Sequence, residues 1–208
     1  MKFDKHMHEY EARVKRLRDS YTLRRDQLLD QIEVAFRHVS RGSGTTLHEA
    51  HVIDNYGTQQ QRAEARSLDT DTHWSQVDVI NIDPGGFCIG FLDEIGFKYY
   101  LPAYISASLR HGYRDIFDDF VDSNVYEHTI YRLTPRDDDD LQKYKILDMP
   151  QSSCVARFLV LDLILDPYES NPDSVRDSNN FEALDAYWKK FLSHSEKKEL
   201  HQMWPKVF

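Results

Sequence analysis

Apolar residues recur at alternating three- and four-residue steps from the start of the chain. Met7, Tyr10, Val14, Leu17 and Tyr21 form one stripe, and after a one-residue slip in phase Leu28, Ile32, Ala35 and Val39 resume it. That rhythm is the signature of an amphipathic helix. No Gly or Pro interrupts it before the break at Arg41-Gly42-Ser43-Gly44. A continuous helix of this length would be roughly 50 Å long at the α-helical rise. It could serve as a coiled-coil arm or fold back onto its own domain, and so few heptads favour the second.

The same reading continues along the chain. Thr46 caps a short helix that runs to about Asn55 and stops at Gly57, and residues 58–67 form a polar helix with few apolar anchors. Leu68 to His73 is a polar connector. Asp83-Pro84 has the residue types of an N-cap followed by a first helical position, so it predicts a helix start. Pro102 cannot continue a helix from within, so it opens one that reaches about Leu109. Phe117, Phe120 and Val121 continue a helical pattern to Asn124, and Leu133-Thr134-Pro135 followed by Asp137 to Asp140 is a turn and a solvated loop. Met149-Pro150-Gln151-Ser152 starts a helix through Leu165 that is apolar on nearly every face, the mark of a central buried element. Pro167 ends it. Helices near 181–192 and 195–204 finish the chain, the last capped by Ser195-Glu196-Lys197-Lys198. No alternating strand pattern competes. The expectation is an all-α fold of about seven helices, with residues 1–40 a long helix and 45–208 a helical body. Trp74, Phe91, Phe97, Leu101, Ile105, Phe158, Leu161 and Trp188 should supply much of its core.

Composition narrows the class. A chain of 208 residues that is 40% hydrophobic and 12% aromatic has the apolar material for a packed core and is not disordered. The N-terminus is charged where a secretion signal needs an apolar run. The longest apolar stretch, around Phe158 to Leu165, is broken by Asp162 and falls far short of the ~20 residues a membrane span needs. A cytoplasmic location without membrane contact is expected. Cys88 and Cys154 stand in apolar surroundings and read as buried reduced thiols.

Charge changes the picture more. The net charge is -9, and between Asp115 and Asp185 acidic residues outnumber basic ones by nearly three to one. Residues 1–25 instead hold twice as many basic as acidic side chains. An acidic surface disfavours nucleic acid, whose phosphates call for a basic one. A basic protein is the partner such a field would steer and orient.

Few residues invite chemistry. His48 and His51 would share a face of the short helix, and Asp54 could add a third ligand from the next turn. The spacing is one residue short of the zinc-protease pattern, so surface histidines are the favoured reading. Asp137 to Asp140 lack the Gly and distal Glu of a calcium loop, which leaves them as an acidic patch that can face a protein. Arg157 and Asp162 lie in the central helix, where each needs a partner or a route to solvent. Gly85-Gly86 lacks the second half of a phosphate-binding motif, and no cofactor is expected. Phe97, Tyr99, Tyr100 and Tyr104 around Pro102 are mostly core. Any tyrosine that reaches the surface, Tyr99 and Tyr104 above all, would suit a binding hot spot.

The segment Gly96-Phe97-Lys98-Tyr99-Tyr100-Leu101-Pro102-Ala103-Tyr104, preceded by Trp74 and Phe91-Leu92-Asp93 and followed by Leu133-Thr134, resembles an uncharacterised bacterial domain family. The resemblance covers about residues 71–165. It implies kinship with small acidic proteins, some of them immunity proteins, and brings no catalytic residues. The functional expectation is a protein-binding inhibitor of a basic toxin-like partner. Its contacts would come from Asp118, Asp119, Asp122, Asp137, Asp138, Asp139 and Asp140, with Tyr99 and Tyr104. The alternatives are a metal-dependent hydrolase built on His48, His51 and Asp54, and a self-assembling structural protein that forms a homodimer through the N-terminal helix.

Overall fold

A computed structural model describes residues 2–111, 124–163 and 175–208, and among them every regular element is helical. The chain is a single all-helical domain with ten α-helices, α1 to α10, and three short 3-10 turns among the described residues. α1 (Lys2–Phe36) runs unbroken through the phase slip. Val14, Tyr21, Leu28, Ile32 and Phe36 are its buried positions; from Tyr21 onward they join the hydrophobic core, and α1 packs on two central helices. The later part of the stripe, Tyr21, Leu28 and Ile32, is buried in the core, whereas Tyr10 near its start is exposed. α1 ends at Phe36, before Val39, because side chains from elsewhere occupy its last carbonyls. Trp74 Nε1 donates to Phe36 O at 3.1 Å and Gln151 Nε2 to Ala35 O at 3.1 Å. These are the acceptors that a helix C-terminus leaves without partners of its own.

α2 (Leu47–Asp54) and α3 (Gln59–Arg66) form a hairpin, each started by a reciprocal capping box, Thr46 with Glu49 and Thr58 with Gln61. α3 buries no residue, as its polar composition predicts. Between the helices Tyr56 sits at φ 57°, the only non-glycine with positive φ among the described residues, and its side chain is 96% exposed.

The expected helix start at Asp83-Pro84 does not form. Asp83 instead closes the single turn α4 (Val79–Ile82), and its carboxylate accepts from Phe87 N at 3.1 Å and Cys88 N at 2.9 Å. The tertiary hydrogen bonds to this buried carboxylate outweigh a local capping preference. Nor does Pro102 open a helix: it lies inside α5 (Glu94–His111). An interior proline costs ~3 kcal/mol or more, but α5 is buried on nearly every face, and that burial offsets the loss. Asp93 is the true start, accepting from Gly96 N at 2.7 Å and also from Thr45 N at 3.0 Å. The turn at 44–45 lies so close that a Cβ on Gly96 would sit 2.4 Å from Thr45 O. This gives the Gly of the GFKYYLPAY segment a physical reason.

α6 (Asn124–Leu133) leads to α7 (Asp138–Lys145), where a solvated loop had been expected. Asp137 caps α7 by accepting from Asp140 N, and the following aspartates fill its first turn, where the helix dipole favours negative charge. α8 (Met149–Leu163) begins with reciprocal bonds between Asp148 and Gln151. It is the second central helix, packed on α1 and on α9 (Asn179–Ala186). α10 (His194–Met203) is capped by Ser193 and Glu196, not by Ser195. The expected core holds: seven of the eight residues named above are buried, and Phe91 packs half-buried against them. Trp188 anchors one end, its Nε1 donating to Leu133 O at 2.7 Å and its ring 4.8 Å from Tyr144.

Candidate functional site

α5 is the most chemically dense element, and its tyrosines point inward. Tyr99 and Tyr104 are fully buried, so neither is a surface contact, which corrects the hot-spot expectation. Each phenol instead donates to a carboxylate, Tyr99 to Asp71 Oδ2 at 2.7 Å and Tyr104 to Asp83 Oδ2 at 2.5 Å. Arg41 extends the cluster, reaching Asp71 at 3.1 Å and the Tyr100 hydroxyl at 3.4 Å. Burial pushes all three phenols up. Tyr99 and Tyr104 are raised further by the carboxylates they face. Tyr100 goes to about 12 even though Arg41 pulls it down. Burial would lower Arg41, but Tyr100, Asp71 and Tyr99 outweigh it and raise the guanidinium. These phenols stay protonated; Tyr99 and Tyr104 donate to Asp71 and Asp83 while Tyr100 accepts from Arg41, which ties the loops at 41, 71 and 83 to α5. Arg41 and Asp71 sit in stretches that look like ordinary polar turns and Asp83 reads as a helix N-cap, so nothing local in the sequence pairs them with the tyrosines.

The metal reading does not assemble. His48 turns its Nδ1 to buried Asp69 Oδ1 at 2.9 Å, and Asp69 also accepts from His48 N at 3.1 Å. His51 is exposed beside Asn55, and Asp54 is exposed as well. Among the described residues no group of three His, Cys, Asp or Glu side chains could hold a metal ion. The histidine nearest to a role is thus a hydrogen-bond partner for a residue of the 68–73 connector. Both cysteines are free and buried. Burial pushes both thiols up, Cys154 to about 11, which makes them poor nucleophiles.

Of the expected acidic contacts, Asp118, Asp119 and Asp122 lie outside the described residues. Asp137 to Asp140 stand together at the start of α7. Asp137 is spent on the cap, and Asp140 accepts from Arg136 N at 3.2 Å. Asp138 and Asp139 are exposed and have no hydrogen-bond or ion-pair partner among the described residues. α7 itself is anchored: Tyr144 OH donates to Arg132 O at 2.6 Å and packs on Phe97 and Trp188.

A cavity lies elsewhere, between α1, α8 and α10. It measures about 480 Å³ and is lined by Leu23, Leu28, Val160 and Leu161 together with two charged pairs, Arg24 with Glu199 and Arg157 with Glu196. Arg157 had been expected to need a partner, and it has two, Glu196 Oε1 at 2.6 Å and Gln31 Oε1 at 2.8 Å. The side chain of Asp162 lies outside the described residues. No sequence signal pairs positions so far apart as 24 and 199. Among the described residues no helix is long and apolar enough to cross a membrane.

The chain belongs to a family of unknown function (DUF6714), which matches residues 24–192. The match begins within the last third of α1 and reaches the Trp188 turn, well beyond the 71–165 stretch that carries the resemblance. No curated protein and no solved structure matches the chain.

Proposed function

We propose that this member of DUF6714 works by binding another protein, as an inhibitor that holds a basic, toxin-like partner in the manner of an immunity protein. The observation that carries the reading is the first turn of α7. Asp138 and Asp139 are offered to solvent there, while Asp137 and Asp140 fix the backbone that presents them. A pair of carboxylates on a helix already docked to the core loses little conformational freedom when a cationic surface arrives. The surrounding acidic excess, within a net charge of -9, would speed that encounter and orient it. The buried, protonated phenols and thiols of the interior fit the same reading, since they serve packing and hydrogen bonding.

The test is affinity capture of the full chain from its host, followed by binding kinetics with the purified partner. Asp138→Asn with Asp139→Asn should weaken binding roughly three- to tenfold at low salt, mainly through a slower association rate, and much less at high salt. Unchanged affinity at low salt would remove α7 from the interface. A partner without excess basic charge would end the electrostatic reading altogether.

A further inference from the structure

Along α5, Ala103, Ser106, Ala107 and Arg110 recur at the three- and four-residue steps that put side chains on one helical face. Three small residues followed by a cation leave a hollow where larger side chains would pack. That face looks onto the 3-10 turn Trp74–Gln76 and the single turn α4. Between them lies a cavity of about 250 Å³, with Val77 and Ile80 on its other wall. It shares no lining residue with the cavity beside α10.

The polar lining holds donors in excess of acceptors. Ser106 is 3% exposed, and its hydroxyl has no hydrogen-bond partner among the described residues. Buried hydroxyls in folded proteins are seldom left so. Arg110 and His111 stand at the rim, and neither has an ion-pair or hydrogen-bond partner among the described residues. Gln76 uses its Oε1 to accept from Thr72 N at 2.9 Å and His73 N at 3.2 Å, which leaves its Nε2 to donate. The one carboxylate of the lining, Asp78, is taken up by Asn81, accepting from its N at 3.3 Å and its Nδ2 at 2.6 Å. A helix C-terminus favours basic residues. That accounts for Arg110 and His111, but not for the unpaired hydroxyl one turn below them.

We infer that this cavity binds a small aliphatic carboxylate. The ligand's oxygens accept from the Ser106 hydroxyl and the Arg110 guanidinium, and its short tail lies against Ile80, Ala103 and Ala107. A space of about 250 Å³ falls below the range of drug-sized pockets, so the ligand has on the order of ten non-hydrogen atoms or fewer. A single negative charge suits the site. One guanidinium outweighs the roughly half charge at the carbonyl end of α5, whereas a dianion would be repelled by Asp78 as well. This inference goes beyond the reading of α7 and does not depend on it.

The experiment titrates the full isotope-labelled chain with butyrate at constant ionic strength and reads backbone amide shifts by NMR, with butanol and inorganic phosphate as comparison probes. Butyrate should give saturable shifts centred on residues 74–80 and 103–111, and the other two probes should bind at least several-fold more weakly. Ser106→Ala should weaken butyrate roughly three- to tenfold and Arg110→Gln roughly fivefold or more, from the loss of one hydrogen bond and of the charged one. Unchanged spectra elsewhere in both variants separate loss of the site from loss of the fold. Shifts that do not saturate, or that centre on other residues, overturn the inference. Equal affinity for butanol overturns it by making the cavity a plain apolar hollow, and equal affinity for phosphate does so by making it an unselective cationic rim. Unaltered butyrate affinity in both variants overturns it too.

Discussion

The Asp83–Tyr104 pair offers the sharpest test of how the interior is held. Asp83 is 5% exposed and accepts three hydrogen bonds, from Phe87 N, Cys88 N and the Tyr104 hydroxyl. Tyr104→Phe removes one donor to a charged acceptor and nothing else, at an expected cost of ~1.5–3 kcal/mol. Asp83→Ala strands two buried donors and one part-buried donor, and should cost more, ~3–5 kcal/mol. With both changes made, the hydroxyl is no longer there to be stranded. The double variant should then be less destabilised than the two singles summed, by about 1.5–3 kcal/mol. Urea unfolding followed by circular dichroism measures all four corners, with the m-value checked for constancy. If the two changes simply add within about 0.5 kcal/mol, the hydroxyl–carboxylate contact contributes nothing and the account of the α5 network is wrong.

Three further outcomes are expected. Gly96→Ala should destabilise the fold by ~1–3 kcal/mol, because its Cβ would meet the backbone oxygen of Thr45 at 2.4 Å and force α5 off the 44–45 turn; a wild-type denaturation midpoint would contradict this. Tyr56→Gly should raise stability by roughly 0.5–1 kcal/mol, since the exposed ring leaves only the left-handed backbone strain to be relieved; differential scanning calorimetry reads the sign. The third concerns pH. Tyr99, Tyr100 and Tyr104 have folded-state pKa values above the ordinary 10.0, so the fold favours their protonated forms. Their contribution is whole below pH 10 and is lost as pH rises from there through the folded values. Tyrosinate absorbance should therefore appear together with cooperative unfolding, and independent titration of these phenols in a still-folded protein would refute the burial argument.

How much of this was legible in the sequence depended on the range of the deciding interaction. The long first helix, the Thr46 cap, the polar α3, the Met149-Pro150 start and the all-helical class rest on periodicity and on residues within a turn of one another. Local sequence carries that information in full. Burial of Trp74, Leu101, Phe158 and Trp188 followed from the same pattern. The misreadings share one cause. Asp83-Pro84 has the residue types of a helix start, yet Asp83 is held by Tyr104 from 21 positions away. Pro102 looked like a helix start until a buried α5 outweighed its penalty. Tyr99 and Tyr104 read as surface contacts because nothing near them in sequence announces Asp71 and Asp83. Ion pairs such as Arg24–Glu199 leave no periodic trace, since either partner alone reads as an ordinary surface charge. The sequence by itself determined which segments are helical and which faces are apolar, because those follow from spacing along one chain. Only the tertiary structure decided which polar groups meet, because a hydrogen bond or ion pair is set by distances in space that the chain closes only when it packs.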